Sequence, residues 1–436
     1  MTERVFPAGF LWGTATSAHQ VEGNNANSDW WDWETRVNTP CPEPSGNAIE
    51  HYERYPADVT MLAGLGFNSY RFSVEWARIE PEAGRFDDDQ LDHYRKMVAT
   101  VREAGLIPIV TLHHFTVPLW VSAEGGWLSE QTPSLFERYV RRVVEVLGDQ
   151  VDWYCTINEP GIVAYGGYLG GMPWPPGLHG LKNWQAATKG LIEGHLRARA
   201  AIKELRPGAC VGMTHSMAEW ESNKGGLPAM ELARRMGEDV YFEACADDDF
   251  VGVQAYTRYR LAMPRVAGWV TRAALATSPT RRLVVELGIA IQRRAADRIN
   301  AAAATGGSLS SGGTRRTQMG YEYRPEAVAA TVRRAASLLP GKPIIVTESG
   351  VATADDRERV EFIGEALHAL HAAISDGIPV RGYIYWSGFD NFEWSLGYGM
   401  TFGLIGVDRK TQVRAPKASA KFLGNIARSN KLATAE

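Results

Sequence analysis

Trp153-Tyr154-Cys155-Thr156-Ile157-Asn158-Glu159-Pro160 is an aromatic and β-branched run that ends on an acid and a proline. A second stretch, Pro343-Ile344-Ile345-Val346-Thr347-Glu348-Ser349-Gly350, has the same form. Short apolar runs bounded by turn residues read as buried strands, and each of these delivers a Glu at its C-terminal end. A Glu at a strand end can simply form a salt bridge. Two presented together can instead share the breaking of a glycosidic bond, one protonating the leaving oxygen and the other attacking carbon.

Six more runs of this kind flank the pair: Phe10–Gln20, Ser69–Trp76, Ile107–Phe115, Ala209–Ser216, Phe250–Tyr256 and Val380–Phe389. Between them lie stretches with helical spacing, among them Asp88–Ala104, Pro133–Leu147 and Val360–Ser375. Glycine stops precede two of the strands, at Ala104-Gly105 and Asp376-Gly377. Eight strands alternating with helices predict an α/β fold, one (β/α)8 TIM barrel spanning residues 1–436. In such a barrel the polar residues at the C-terminal ends of the strands line the active site, so those residues become the candidates.

At 436 residues and 45% hydrophobic composition the chain can bury a large core. A net charge of −4 argues against a general nucleic-acid binder. Cys41, Cys155, Cys210 and Cys245 are scattered with no C-x-x-C pair, and the start shows no basic stretch leading into an apolar one. No apolar run is long enough to span a membrane. The expected setting is a reducing cytoplasm, with oligomeric state left open. His113 and His114 are adjacent, so on a strand they face opposite ways and cannot share a metal ion. No Gly-rich phosphate cradle follows a strand, so no metal and no nucleotide cofactor is expected.

Residues 257–317 break the alternation. They hold eleven Arg, no Lys, and only Glu286 and Asp297 as acids, a formal +9 that leaves −13 for the rest of the −4 chain. Val266, Trp269, Val270 and Ala273 follow helical spacing, as do Leu283, Leu287 and Ile291, before the loop-like Gly306–Gly313. The segment is expected to be an insertion after strand six, a lid over the barrel mouth whose Arg offset the acidic body. A membrane surface, an anionic partner or a hydrophobic aglycone are the alternative contacts for such a basic amphipathic pair.

Longer motifs carry a resemblance. Phe10-Leu11-Trp12-Gly13-Thr14-Ala15-Thr16-Ser17-Ala18-His19-Gln20-Val21-Glu22-Gly23 resembles the N-terminal signature of glycoside hydrolase family 1, the β-glucosidase family. So do Tyr70-Arg71-Phe72-Ser73-Val74-Glu75-Trp76, the Asn-Glu-Pro and Thr-Glu-Ser-Gly motifs, Trp386-Ser387, and Asp390-Asn391-Phe392-Glu393-Trp394, all in the family's order. The resemblance implies a retaining β-glycosidase acting on small-molecule β-glycosides without a cofactor. Glu348 matches the nucleophile and Glu159 the acid/base. Arg71 and Tyr256 match the residues that contact the nucleophile, and as a cation and a hydroxyl donor they are expected to lower its pKa. The bland alternative for Arg71 is an ion pair with Glu75.

Asn158 matches a ligand of the sugar 2-hydroxyl. Gln20, His114, Glu393 and Trp394 resemble ligands of the 3-, 4- and 6-hydroxyls, and Trp386 the platform beneath the ring. Trp127, Trp174 and Phe402 are the expected aglycone or entrance residues. Glu393 favours unphosphorylated sugar, since a carboxylate repels a 6-phosphate, and Glu at 159 argues against the thioglucosidase branch. The glycone is expected to be β-glucosyl, with β-galactosyl or β-fucosyl tolerated. A transglycosidase serving an alcohol or lipid-like acceptor, and a non-catalytic sugar-binding barrel, are the competing readings.

The chain also departs from the family pattern. Gln254-Ala255-Tyr256 stands where Asn-Tyr-Tyr is usual, His113 replaces an aromatic, Thr116 an Asp and Thr401 an Arg. These put aglycone preference and efficiency in doubt rather than the reaction.

Overall fold

Strands buried on both faces need side chains inside a barrel and helices outside it, and the chain supplies both. A computed structural model describes residues 3–170, 172–264 and 314–433. Eight strands close a barrel: β1 Leu11–Ala15, β2 Ser69–Ser73, β3 Ile107–His113, β4 Trp153–Asn158, β5 Cys210–Ser222, β6 Val251–Leu261, β7 Ile344–Ser349 and β8 Val380–Trp386. Every neighbouring pair is parallel, and β8 pairs back onto β1. Outside run α1 His51–Leu65, α2 Asp88–Glu103, α3 Thr132–Leu147, α4 Leu181–Leu205, α5 Leu227–Arg234, α6 Ala327–Leu338, α7 Asp356–Ser375 and α8 Ala418–Ser429.

The helices form for local reasons. The Asp87 side chain caps α2 by accepting from the amides of Asp89 and Gln90, and Leu91, Tyr94, Val98 and Val101 turn one face to the barrel. Gly105 and Gly377 sit at φ of +80° and +89°, a region where glycine carries no Cβ penalty, so both expected stops hold. In α3, Phe136, Val140, Val143, Val144 and Leu147 repeat at helical spacing and are all buried. Inside the barrel, Leu11, Ile109, Cys155, Ile345 and Ile384 form an apolar floor.

Two strands overrun their expected ends. β5 continues to Ser222 and β6 to Leu261, pairing Glu219 with Arg258, Trp220 with Tyr259 and Glu221 with Arg260. Residues 257–261 therefore belong to a strand, which corrects the start of the expected insertion. Gln20, by contrast, lies on a short helix, Ala18–Val21, rather than on β1.

Residues 265–313 lie outside the described residues. So do the two helical patterns and the glycine-rich loop, together with the lid, membrane-surface and acceptor readings that rest on them. The described Arg beside that segment face acids of the barrel body. Arg258 bonds Glu322 and Glu221, Arg260 reaches Glu221, and Arg315 bonds Glu358 and Glu361. No helix among the described residues is long and apolar enough to cross a membrane.

Candidate active site

A regular strand sends successive side chains to opposite faces, so Asn158 and Glu159 should diverge. The register shows how both reach the mouth. Cys155 pairs with Gly212 and Asn158 with Thr214, so β4 carries one extra residue, and Glu159 then turns into the left-handed region at φ +45°. β7 carries an extra residue before Glu348, since Val253 pairs with Val346 but Gln254 with Glu348. β6 carries another between Ala255 and Arg258. The three strands that present Glu159, Glu348 and Tyr256 are thus the ones whose regularity breaks beside those residues. The loop beyond β7 is held as closely. A Cβ on Gly350 would lie 2.0 Å from the Trp386 carbonyl oxygen.

That contact yields a prediction. Gly350→Ala must part the ends of β7 and β8, costing roughly 1–3 kcal/mol of stability by overpacking. It also moves Glu348 against Trp386, and a shift of about 1 Å costs on the order of 100-fold in rate. An unchanged melting temperature and an unchanged rate would refute it.

Glu348 is enclosed by donors. Arg71 Nη1 lies 2.5 Å and Gln254 Nε2 2.9 Å from Oε1, while the Tyr256 hydroxyl donates to Oε2 at 2.6 Å. Arg71 Nη2 donates to Asn158 Oδ1 at 2.5 Å and Nε to Thr111 at 3.1 Å. Glu75, the alternative partner for Arg71, instead accepts from Thr116 and the Ala77 amide. Burial pushes the Glu348 carboxyl up, against the charge of Arg71 and the hydrogen bonds from Tyr256 and Arg71. The expectation of a depressed pKa is therefore corrected, because burial of the carboxyl outweighs the donors.

Glu159 is pushed further. Burial, then repulsion from Glu348, carries it to about 8, with only a Ser216 hydrogen bond and the more distant Arg71 opposing. Of the two, Glu348 is the carboxyl that ionises and Glu159 the one that keeps its proton. Burial and Glu348 likewise push Glu393 to about 8, against bonds from Gln20 and Trp386. Glu393 therefore holds its proton more tightly than an ordinary surface carboxyl.

The polar strand ends gather on one side of this group. Gln20 Nε2 donates to the Phe392 carbonyl at 2.6 Å and lies 3.4 Å from Glu393 Oε2, its own Oε1 being held by Ser17 at 2.7 Å. His114 Nε2 is 3.2 Å from Asn158 Nδ2, and its ring lies nearly parallel to those of Trp386 and Trp394, centroids 5.9 and 6.2 Å away. Burial and the nearby Arg71 hold the His114 imidazole neutral, well below its ordinary pKa. His113 points outward as expected, its Nε2 accepting from Trp127 at 3.3 Å.

The same bond corrects Trp127. It is fully buried outside the barrel, packed against Phe136 of α3 and Gly190 and Gly194 of α4, so it does not line the entrance. Trp174 packs on Phe115 and Trp394, and Phe402 stands edge-on to Tyr256, which keeps both beside the site. Thr111 and Thr214 were missed, and Gln254 was named only as a departure from the family pattern, not as a site residue. The signal for Gln254 was its position two residues before Tyr256, on the same strand face.

Elsewhere, between β4 and α4, His195, Cys245 and Asp248 bring ligand-type atoms within 4.8 Å of one another. There Asp248 Oδ1 faces His195 Nε2 at 3.2 Å and Arg199 Nε at 3.4 Å, on the side of the strands that α4 covers.

A (β/α)8 barrel that gathers two buried carboxyl groups at its mouth, beside Gln20, His114 and the Trp386 and Trp394 rings, is the arrangement of a glycosidase-type hydrolase. A model of glycosyl hydrolase family 1 matches residues 2–432, and the chain belongs to that family. It is 31% identical to a bifunctional β-D-glucosidase/β-D-fucosidase of Bifidobacterium breve, over 95% of this chain and 96% of that one. It is 28% identical to β-glucosidase A of Thermotoga maritima, over 99% and 100%. Among solved structures, a β-glycosidase from Pyrococcus horikoshii is 33% identical with a TM-score of 0.84, covering 99% of this chain and 97% of its own.

Proposed function

We propose that the chain is a retaining β-glucosidase that releases terminal β-D-glucosyl residues by double displacement. Glu348 attacks the anomeric carbon while Glu159 protonates the leaving oxygen. Covalent bond formation removes the Glu348 charge and with it the repulsion on Glu159, which then takes a proton from water as the glycosyl ester is hydrolysed. The observation that carries this is the contrast between the two carboxyl groups. Glu348 takes three donors, one of them a guanidinium, whereas Glu159 is pushed to about 8 by burial and by Glu348.

Asn158, His114, Gln20, Glu393 and Trp394 bind the sugar hydroxyls, and Trp386 lies beneath the ring. Glucose is favoured as glycone because the relatives include β-glucosidases, and the T. maritima enzyme has been solved with castanospermine and with a substituted glucoimidazole. Fucosyl tolerance has support in the bifunctional B. breve relative. Four unpaired thiols suit a reducing, cytoplasmic setting. A panel of aryl β-glucosides, β-galactosides, β-fucosides and 6-phospho-β-glucosides tests the assignment. Glucoside turnover well above that of the 6-phosphate supports it, and preference for the phosphorylated sugar overturns it.

The pH profile follows from the same pair. Glu348 must be ionised, so kcat/KM falls in acid; Glu159 must be protonated, so kcat/KM falls as the pH rises through about 8. The limbs belong to the coupled pair rather than to either residue alone. A profile still rising above pH 9 would remove Glu159 from the role of acid.

A further inference from the structure

Gln254 stands where the family pattern has the shorter Asn, and its side chain is fully buried in the floor of the site. Its Nε2 donates to Asn158 Oδ1 at 2.7 Å and to Glu348 Oε1 at 2.9 Å, so both amide hydrogens are used. Arg71 touches the same two oxygens, Oε1 through Nη1 and Oδ1 through Nη2. The four side chains form a closed ring: guanidinium, carboxylate, amide donor, amide acceptor. The ring permits one orientation only. Turned over, Gln254 would set its carbonyl oxygen against a carboxylate oxygen and an amide oxygen.

Two consequences follow from the donors that each oxygen takes. Asn158 Oδ1 accepts from Arg71, Gln254 and, at 3.0 Å, Thr214, so its amide cannot flip and Nδ2 must face His114 and the sugar. Glu348 Oε1 accepts two donors, whereas among the described residues Oε2 accepts one, from Tyr256, and is the less crowded oxygen. We propose that Gln254 is a positioning residue that holds Asn158 Nδ2 on the sugar 2-hydroxyl and leaves Glu348 Oε2 as the attacking oxygen. In the glycosylation step Oε2 forms the bond to the anomeric carbon, the aglycone oxygen leaves with the Glu159 proton, and the negative charge passes from Glu348, now a neutral ester, to the Glu159 carboxylate. The amide of Gln254 bears no charge at any stage.

This rests on the reading of Glu348 as nucleophile, so a control comes first. Wild-type enzyme is incubated with an activated 2-deoxy-2-fluoro-β-glucoside, and the labelled peptide is identified. Absence of label on Glu348 overturns the reading of the site. With label there, Gln254→Leu is assayed on 4-nitrophenyl β-glucoside and on its 2-deoxy analogue. A lost hydrogen bond to a charged group predicts a fall in kcat/KM of about 10- to 100-fold on the glucoside. The fall on the 2-deoxy analogue should be several-fold smaller, because the Asn158 contact is already missing there.

The acid limb should also move to higher pH, since the carboxylate loses a donor while its other neighbours, Arg71, Tyr256, Glu159, Glu393 and Cys155, are unchanged. Gln254→Asn keeps a buried amide and guards against misfolding. One methylene short, it cannot span both oxygens and should show the same pattern at smaller size. Equal losses on both substrates, or an unmoved acid limb in folded variants, overturn the role of Gln254 and leave the two carboxyl groups in place.

Discussion

Glu348→Gly reduces hydrolysis of aryl β-glucosides by at least about 10⁴-fold, the scale of losing a covalent nucleophile, because no other group at the mouth can take its place. In the proposed mechanism Glu159 is committed to the leaving oxygen, and Glu393 is held beside Gln20 and Trp386. The space left by the side chain admits a small anion such as azide beside Arg71. The expected rescue product is the α-glycosyl azide, made by a single inverting displacement. The substitution also strands a buried guanidinium, a loss of several kcal/mol in comparable cases, so the melting temperature should fall as well. Glu348→Gln, which keeps the volume, separates the two effects: it should be as inactive and melt closer to wild type. Full activity in either variant would be incompatible with a Glu348 nucleophile.

Glu159→Gln has a conditional effect. Loss of a general acid costs about 10²- to 10⁴-fold on glucosides with poor leaving groups. Leaving groups that depart without a proton, such as 2,4-dinitrophenol, should be cleaved almost normally in the first step. Without its base the second step slows, so the glycosyl-enzyme accumulates and a burst of phenol precedes slow turnover. The part of the limb near pH 8 that comes from Glu159 should be lost, leaving any contribution from Glu393. A uniform loss across leaving groups, with that limb intact, would show that Glu159 only binds.

Much of this was legible in the sequence because a barrel writes its active site at predictable places. Eight apolar runs marked the strands, and the acids at their ends marked the mouth. The roles of Arg71, Tyr256 and Asn158 came from the family resemblance, and the structure joins all three to Glu348 or to one another. The register breaks were not legible. Alternation predicts that Asn158 and Glu159 part, and only the extra residue on β4 and the left-handed turn at Glu159 bring both inward. A bulge depends on the partner strand, which a single chain segment does not reveal.

Two misreadings have physical causes. Trp127 looked like an entrance residue because a loop Trp has no periodicity to betray its direction; its partner is the outward-facing His113. The extra length of β5 and β6 was hidden because Glu219, Glu221, Arg258 and Arg260 break the apolar pattern while pairing with one another across the strands. Charge suggested a loop there, whereas cross-strand ion pairs make it a ribbon. The Glu348 pKa was misjudged for a related reason. The donors could be named from motifs, but the burial that outweighs them is a property of the folded barrel.

The central claim is a covalent bond between Glu348 and the sugar. Proton NMR of the first-formed product, recorded before mutarotation, tests it most directly. Double displacement predicts that an aryl β-glucoside gives β-glucose as the initial product. Initial α-glucose would mean a single displacement by water, with Glu348 acting as a base, and would contradict the account.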